Sequence, residues 1–163
     1  MKAYELFALM PAPLAVEILE FTLQNDKEIF QMAVTAIAQA RKVRPIFLQR
    51  QPKTGRLRMM VESLGRPGQE ATADHLIRNW LLKKHSQLLI DFLEGLKIPH
   101  DKGVVEDLPA SIDDSTLQLS VENLLAKYPA DVASVYLHAF NHLNGTNWKN
   151  LELMVESDAR LQF

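Results

Sequence analysis

The sequence lacks cysteine entirely, and no stretch approaches the roughly 18 consecutive apolar residues of a membrane span. The first absence excludes a disulfide scaffold, Cys-ligated zinc, iron–sulfur clusters and thiol catalysis. It fits a reducing compartment. Met1-Lys2-Ala3-Tyr4-Glu5 is not a basic region leading into an uninterrupted apolar run, so no secretory signal is read and the expectation is a cytoplasmic protein without membrane insertion. Phosphate loops, dinucleotide fingerprints, Gly-x-Ser-x-Gly elbows and helix-turn-helix signatures are also absent.

What is present fits a packed domain. Apolar residues make up 47% of the 163 and charged residues 23%, a balance that supports a core and argues against wholesale disorder. A chain of this length buries roughly two-thirds of its unfolded surface and needs neither metal nor disulfide to fold.

Apolar residues recur at helical spacing along most of the chain, and the breaks between these stretches fall at Pro, Gly and Asn-Asp pairs. A first turn over Tyr4–Leu9 stops at Pro11 and Pro13. An amphipathic helix over 14–24 is expected to bury Leu14, Ile18 and Phe21. Asn25-Asp26 caps a second helix, with Ile29, Ala33, Ala36, Ile37 and Ala40 on its inner face. Pro45 ends that helix, and 50–56 reads as a turn because it holds Pro52 and Gly55. A short helix over 57–64 follows, with Gly65 as a left-handed C-cap.

The next helix starts near Ala71 and buries Ala73, Leu76, Ile77, Trp80 and Leu81. The apolar set Leu88, Leu89, Phe92, Leu93 and Leu96 points almost the opposite way, so the helix is broken near Ser86, read as an N-cap. Val104-Val105 is too short for a sheet. Asp114-Ser115 caps a helix over Leu117, Leu119, Val121, Leu124 and Leu125. After Pro129 another carries Val132, Tyr136, Ala139, Phe140 and Leu143, and a last helix runs from Trp148 to Glu156. The fold expected is all-α, a compact bundle of about 7–8 helices or a short α-solenoid, in one domain over 1–163.

One feature suggests duplication. Met60-Val61-Glu62-Ser63 returns as Met154-Val155-Glu156-Ser157, with Leu57 matching Leu151 and Arg66 matching Arg160. A helical hairpin precedes each copy, giving two degenerate units at about 12–66 and 115–160 around a helical middle segment, 69–98. The first unit is longer by the basic stretch Arg41–Arg56.

That stretch is the main functional lead. Residues 41–85 hold eleven Lys/Arg and three Asp/Glu, whereas the rest of the chain holds seven and seventeen, although the total is only −2. Candidate binding residues are Arg41, Lys42, Arg44, Arg50, Lys53, Arg56 and Arg58, with Phe47 nearby and Trp80, Lys83 and Lys84 as an extension. The expected role is a non-catalytic protein-interaction or adaptor domain with a protein partner, in which the basic centre can also meet acidic ends of a second copy. The alternative is nucleic-acid binding through the same residues.

Other constellations carry less. His138 and His142 stand four apart, but Ala139 occupies the position where a zincin has glutamate. They read as surface or packing histidines. His100, Asp101, Glu106 and Asp107 lack the spacing of a calcium loop. Ser63 and Ser157 lie in no nucleophile elbow. No catalytic residue, metal ligand or cofactor is assigned.

Overall fold

The computed structural model describes residues 1–163, the side chain of Leu143 excepted, so the placement of Leu143 on an inner face lies outside the described residues. The class is all-α, as expected. There are ten α-helices among the described residues, more than the seven or eight expected: the single turn read over Tyr4–Leu9 is a helix of its own, and a further short helix, Pro45–Gln49, forms where none was read. The chain divides into two compact units, Met1–Trp80 and Leu81–Phe163.

The first unit holds α1 (Ala3–Leu9), α2 (Ala12–Asn25), α3 (Lys27–Ala40), α4 (Pro45–Gln49), α5 (Lys53–Leu64) and a 3-10 turn at Pro67–Gln69. It also holds most of α6 (Glu70–Lys84). Its core gathers Leu6 and Phe7 of α1 with Ile18 and Leu19 of α2, Val34 and Ile37 of α3, and Leu57, Met60 and Leu64 of α5. Asp26 caps α3 by accepting from Ile29 N at 3.3 Å. Glu70 does the same for α1 from far along the chain, accepting from Ala3 N and Tyr4 N at 3.2 Å each, which meets donors that a helix start leaves open.

Several local readings are corrected here. The inner stripe of α3 is Phe30, Ala33, Val34, Ile37 and Ala38, while Ala40 is exposed and Ile29 and Ala36 half-buried. The bulky Phe30 and Val34, not the alanines, decide which side turns in. Phe21 of α2 is only half-buried, and Thr22 takes the inner position by donating to Ile18 O at 2.9 Å. The expected turn at 50–56 is confined to its first residues, because Lys53 to Arg56 already form the first turn of α5. Gly55 is accommodated inside that helix with open space around it. Gly65 has φ −72°, so it is no left-handed cap. Its reason is contact: a Cβ there would come within 3.1 Å of Ala8 Cα.

The left-handed residue is Lys42, at φ 56°. Val43 N donates to Ala38 O and Lys42 N to Gln39 O, both at 3.0 Å, the paired bonds of a Schellman ending. A lysine therefore sits where glycine is usual.

The second unit begins with the last turn of α6. It continues through α7 (Ser86–Gly95), α8 (Asp114–Lys127), α9 (Ala130–Leu143), α10 (Lys149–Ser157) and a 3-10 turn at Ala159–Leu161. The break before Ser86 is real, but the cap position is His85. α7 ends as α3 does, with Lys97 at φ 58° and Ile98 N donating to Leu93 O at 2.9 Å. Asp113 caps α8, one residue ahead of the expected Asp114, by accepting from Thr116 N at 2.9 Å and Ser115 Oγ at 2.6 Å. These donors hold its carboxyl down at about 2.

Phe92, Tyr136, Phe140 and Trp148 form a chain of ring contacts with centroids 5.2–5.9 Å apart and fix α7, α9 and the start of α10 together. Asn141 pins the intervening loop, accepting from Trp148 N at 2.7 Å. Leu119, expected inside, is 63% exposed because Ser120 takes the inner position. Val104 makes only an isolated bridge to Asp101, consistent with no sheet among the described residues.

Both units contain two 14-residue helices in succession and later a shorter helix carrying the repeated tetrapeptide and a 3-10 turn, with α4 intervening in the first unit alone. The tetrapeptides do not face alike. Met60 and Ser63 are buried and Val61 half-buried, whereas Val155 is buried, Met154 half-buried and Ser157 exposed. Leu57 and Leu151 are buried in both.

Candidate interaction surface

The seven basic residues separate into two groups. Four are tied into the first unit. Arg41 donates from Nε to Ser63 Oγ at 2.7 Å, and its other end lies 3.6 Å from Glu62. Ser63 in turn donates to Met59 O at 2.9 Å, so this buried serine is a structural relay and no nucleophile. Lys53 pairs with Glu20 at 2.7 Å, and Arg58 with Glu62 at 3.3 Å. Arg56 lies 5.7 Å from the centroid of Phe30 and reaches Gln49 O at 3.5 Å, a stacked and partly covered guanidinium.

The other three, Lys42, Arg44 and Arg50, are exposed and make no ion pair among the described residues. They surround α4. Arg44 occupies its N-cap position, Arg50 its C-cap position, and Lys42 the left-handed end of α3 just before it. Pro45 at the first helical position presets the turn.

α4 is held down by Leu48, which is fully buried, and by Gln49 donating to Gln31 Oε1 at 3.1 Å. Five residues cannot bury every apolar side chain against one neighbour. Ile46 and Phe47 are left outside, each 47% exposed. A solvent-facing pair of large apolar residues bracketed by unneutralised cations results.

Trp80 does not extend the patch. Trp80 is fully buried and donates from Nε1 to Glu17 at 3.2 Å, so no nucleobase can stack on it. The seven basic residues between 41 and 58 are thus divided between internal contacts and one small outward surface at α4.

The remaining candidates are structural. His138 is half-buried beside Phe163, with ring centroids 6.4 Å apart, and burial pushes its pKa down to about 4. No cluster of three His, Asp or Glu suited to a metal ion occurs among the described residues. His100 accepts from Gly103 N at 3.1 Å and closes the turn there.

Sequence reasoning missed Asp91, a half-buried carboxylate between α7 and α8. It accepts from Tyr128 OH at 2.8 Å, Gln87 Nε2 at 2.9 Å and Lys127 Nζ at 3.0 Å. Burial alone would raise its pKa, but these donors outweigh it and hold the carboxyl below the usual range. Tyr128 moves the other way, to about 12, through burial and its bond to Asp91. Spread over 87–128, these partners give no local sequence signal.

No protein-family model matches the chain, and no curated protein or solved structure is detectably similar to it. Among the described residues no helix is long and apolar enough to cross a membrane.

Proposed function

We propose that the chain is a non-catalytic protein-interaction domain, built from two degenerate helical-hairpin units, whose contact surface is α4 with its flanks. The partner segment is acidic and partly apolar. The observation that carries this reading is the exposed Ile46–Phe47 pair bracketed by Lys42, Arg44 and Arg50. Apolar contact supplies the binding energy of such a surface, and its charge steers the encounter and selects partners of opposite sign. The successive 14-residue helices of each unit support the duplication.

A labelled peptide alternating glutamate with leucine tests the reading by fluorescence anisotropy. It is expected to bind more weakly as salt rises, and Arg44→Glu/Arg50→Glu or Phe47→Asp is expected to weaken binding about tenfold or more. Binding that is equal in wild type and variants removes the reading. The exposed arginines beside Phe47 also favour a second one, nucleic-acid binding. Salt-dependent affinity for a single-stranded oligonucleotide, lost in the same variants while the peptide stays unbound, would decide for it.

A further inference from the structure

The second unit carries a surface of the opposite character. Its α8 and α10 border a groove of about 520 Å³ lined by Asp114, Val121, Glu122, Leu153, Met154 and Asp158, among others. Leu153 is 64% exposed along it. One cation, Arg160, lies within the groove, and both neighbouring acids consume it. It donates to Glu122 at 3.0 and 2.5 Å and to Asp158 at 2.6, 3.0 and 3.2 Å. Its bonds to Glu122 and then to Asp158 raise the arginine pKa further. Three carboxylates against one guanidinium leave the groove with surplus negative charge around an apolar floor.

The imbalance extends to the units as wholes. The first holds eleven Lys/Arg and eight Asp/Glu, and the second seven and twelve. One chain therefore carries a basic projection with two outward apolar side chains and an acidic groove with an apolar lining.

We propose that α4 of one molecule docks into the α8–α10 groove of a second copy. Ile46 and Phe47 cover Leu153 and Met154, and Lys42, Arg44 and Arg50 face Asp114, Glu122 and Asp158. This rests on the reading of α4 as an interaction surface and names its partner. Because the two faces differ, the contact is head-to-tail: each contact leaves one α4 and one groove free. Association then grows with concentration into rings or longer series, and salt weakens it.

Sedimentation velocity on the full chain at low and high salt tests this, using two exposed-site variants whose helicity and melting are checked first. Arg44→Glu/Arg50→Glu spoils the projection. Leu153→Lys spoils the groove by removing apolar area and adding a repelling cation. The expected results are concentration-dependent association of wild type at low salt and monomers for each variant alone. Mixed one to one, the variants should form dimers and nothing larger, since only one sound projection and one sound groove remain. A wild type that stays monomeric at low salt overturns the proposal, as does a mixture that yields no dimer. The glutamate–leucine peptide is then titrated into Leu153→Lys, which keeps α4 intact. Peptide binding there, together with a wild type that stays monomeric, overturns the second copy as partner and leaves the interaction reading standing, and absence of both removes both.

Discussion

Gly95 and Ser120 meet where α7 crosses α8, so closely that a Cβ on Gly95 would lie 2.8 Å from Ser120 Oγ and 3.2 Å from Ser120 Cβ. Ser120 is held in that position because its hydroxyl donates to Thr116 O at 2.9 Å along its own helix. Backbone approach of this kind needs a hydrogen on one side and a small side chain on the other.

Gly95→Ala is therefore expected to destabilise the chain by about 1–2 kcal/mol, overpacking outweighing the better helix propensity of alanine. Adding Ser120→Gly should recover most of the loss. Chemical denaturation of the two single variants and the double variant measures the coupling, and additive losses would mean that the two residues do not press on each other.

Gly55 gives the opposite sign. It lies inside α5 with no atom within 4 Å of an added Cβ. Gly55→Ala is expected to stabilise by about 0.5–1 kcal/mol through helix propensity and a less flexible unfolded chain. A rise in thermal midpoint, with the same helical signal, checks it.

Lys42 combines strain with a place in the proposed contact surface. Its φ of 56° is one that a side chain disfavours, and Lys42→Gly should stabilise by about 0.5–1 kcal/mol after the added entropy of glycine is counted. Lys97 has the same conformation at the end of α7. Lys97→Gly should stabilise alike and leave the peptide affinity of α4 unchanged, whereas Lys42→Gly should lower it. Denaturation and anisotropy on both variants separate the two roles.

The pH dependence follows from His138. Burial lowers its pKa from 6.5 to about 4, so the folded chain prefers the neutral ring. An unfolded chain takes up the proton first as pH falls. The contribution is fully present above pH 6.5 and is lost between there and about 4. Urea midpoints at pH 7.5 and 5 should differ less in His138→Leu than in wild type. An unchanged difference would show that the ring titrates as an exposed histidine does.

The helices were legible because their signals are local. Apolar spacing, Asp26, Pro129 and the reversal of apolar direction near Ser86 each act within a few residues, and each is found in the structure, whereas Pro45, expected to end α3, instead starts α4, and α3 ends at Ala40 through the left-handed Lys42. The errors have a common cause in neighbours that the sequence does not reveal. The inner stripe of α3 turned toward Phe30 and Val34, Leu119 gave way to Ser120, and Gly65 answers to Ala8 in another helix. Charge behaved similarly. The sequence located the basic stretch, but only packing could divide it between Arg41, Lys53, Arg56 and Arg58, which are tied internally, and Lys42, Arg44 and Arg50, which are not.

By itself, then, the sequence determined the helical class, the chain breaks, the exclusion of thiol chemistry and the place of the basic segment. These depend on composition and on spacing along one helix. Tertiary structure decided which charges stay available, which apolar residues are left outward on the five-residue α4, and how the repeated tetrapeptides face. Those outcomes depend on which helix faces are covered, and covering is a property of neighbours distant in sequence.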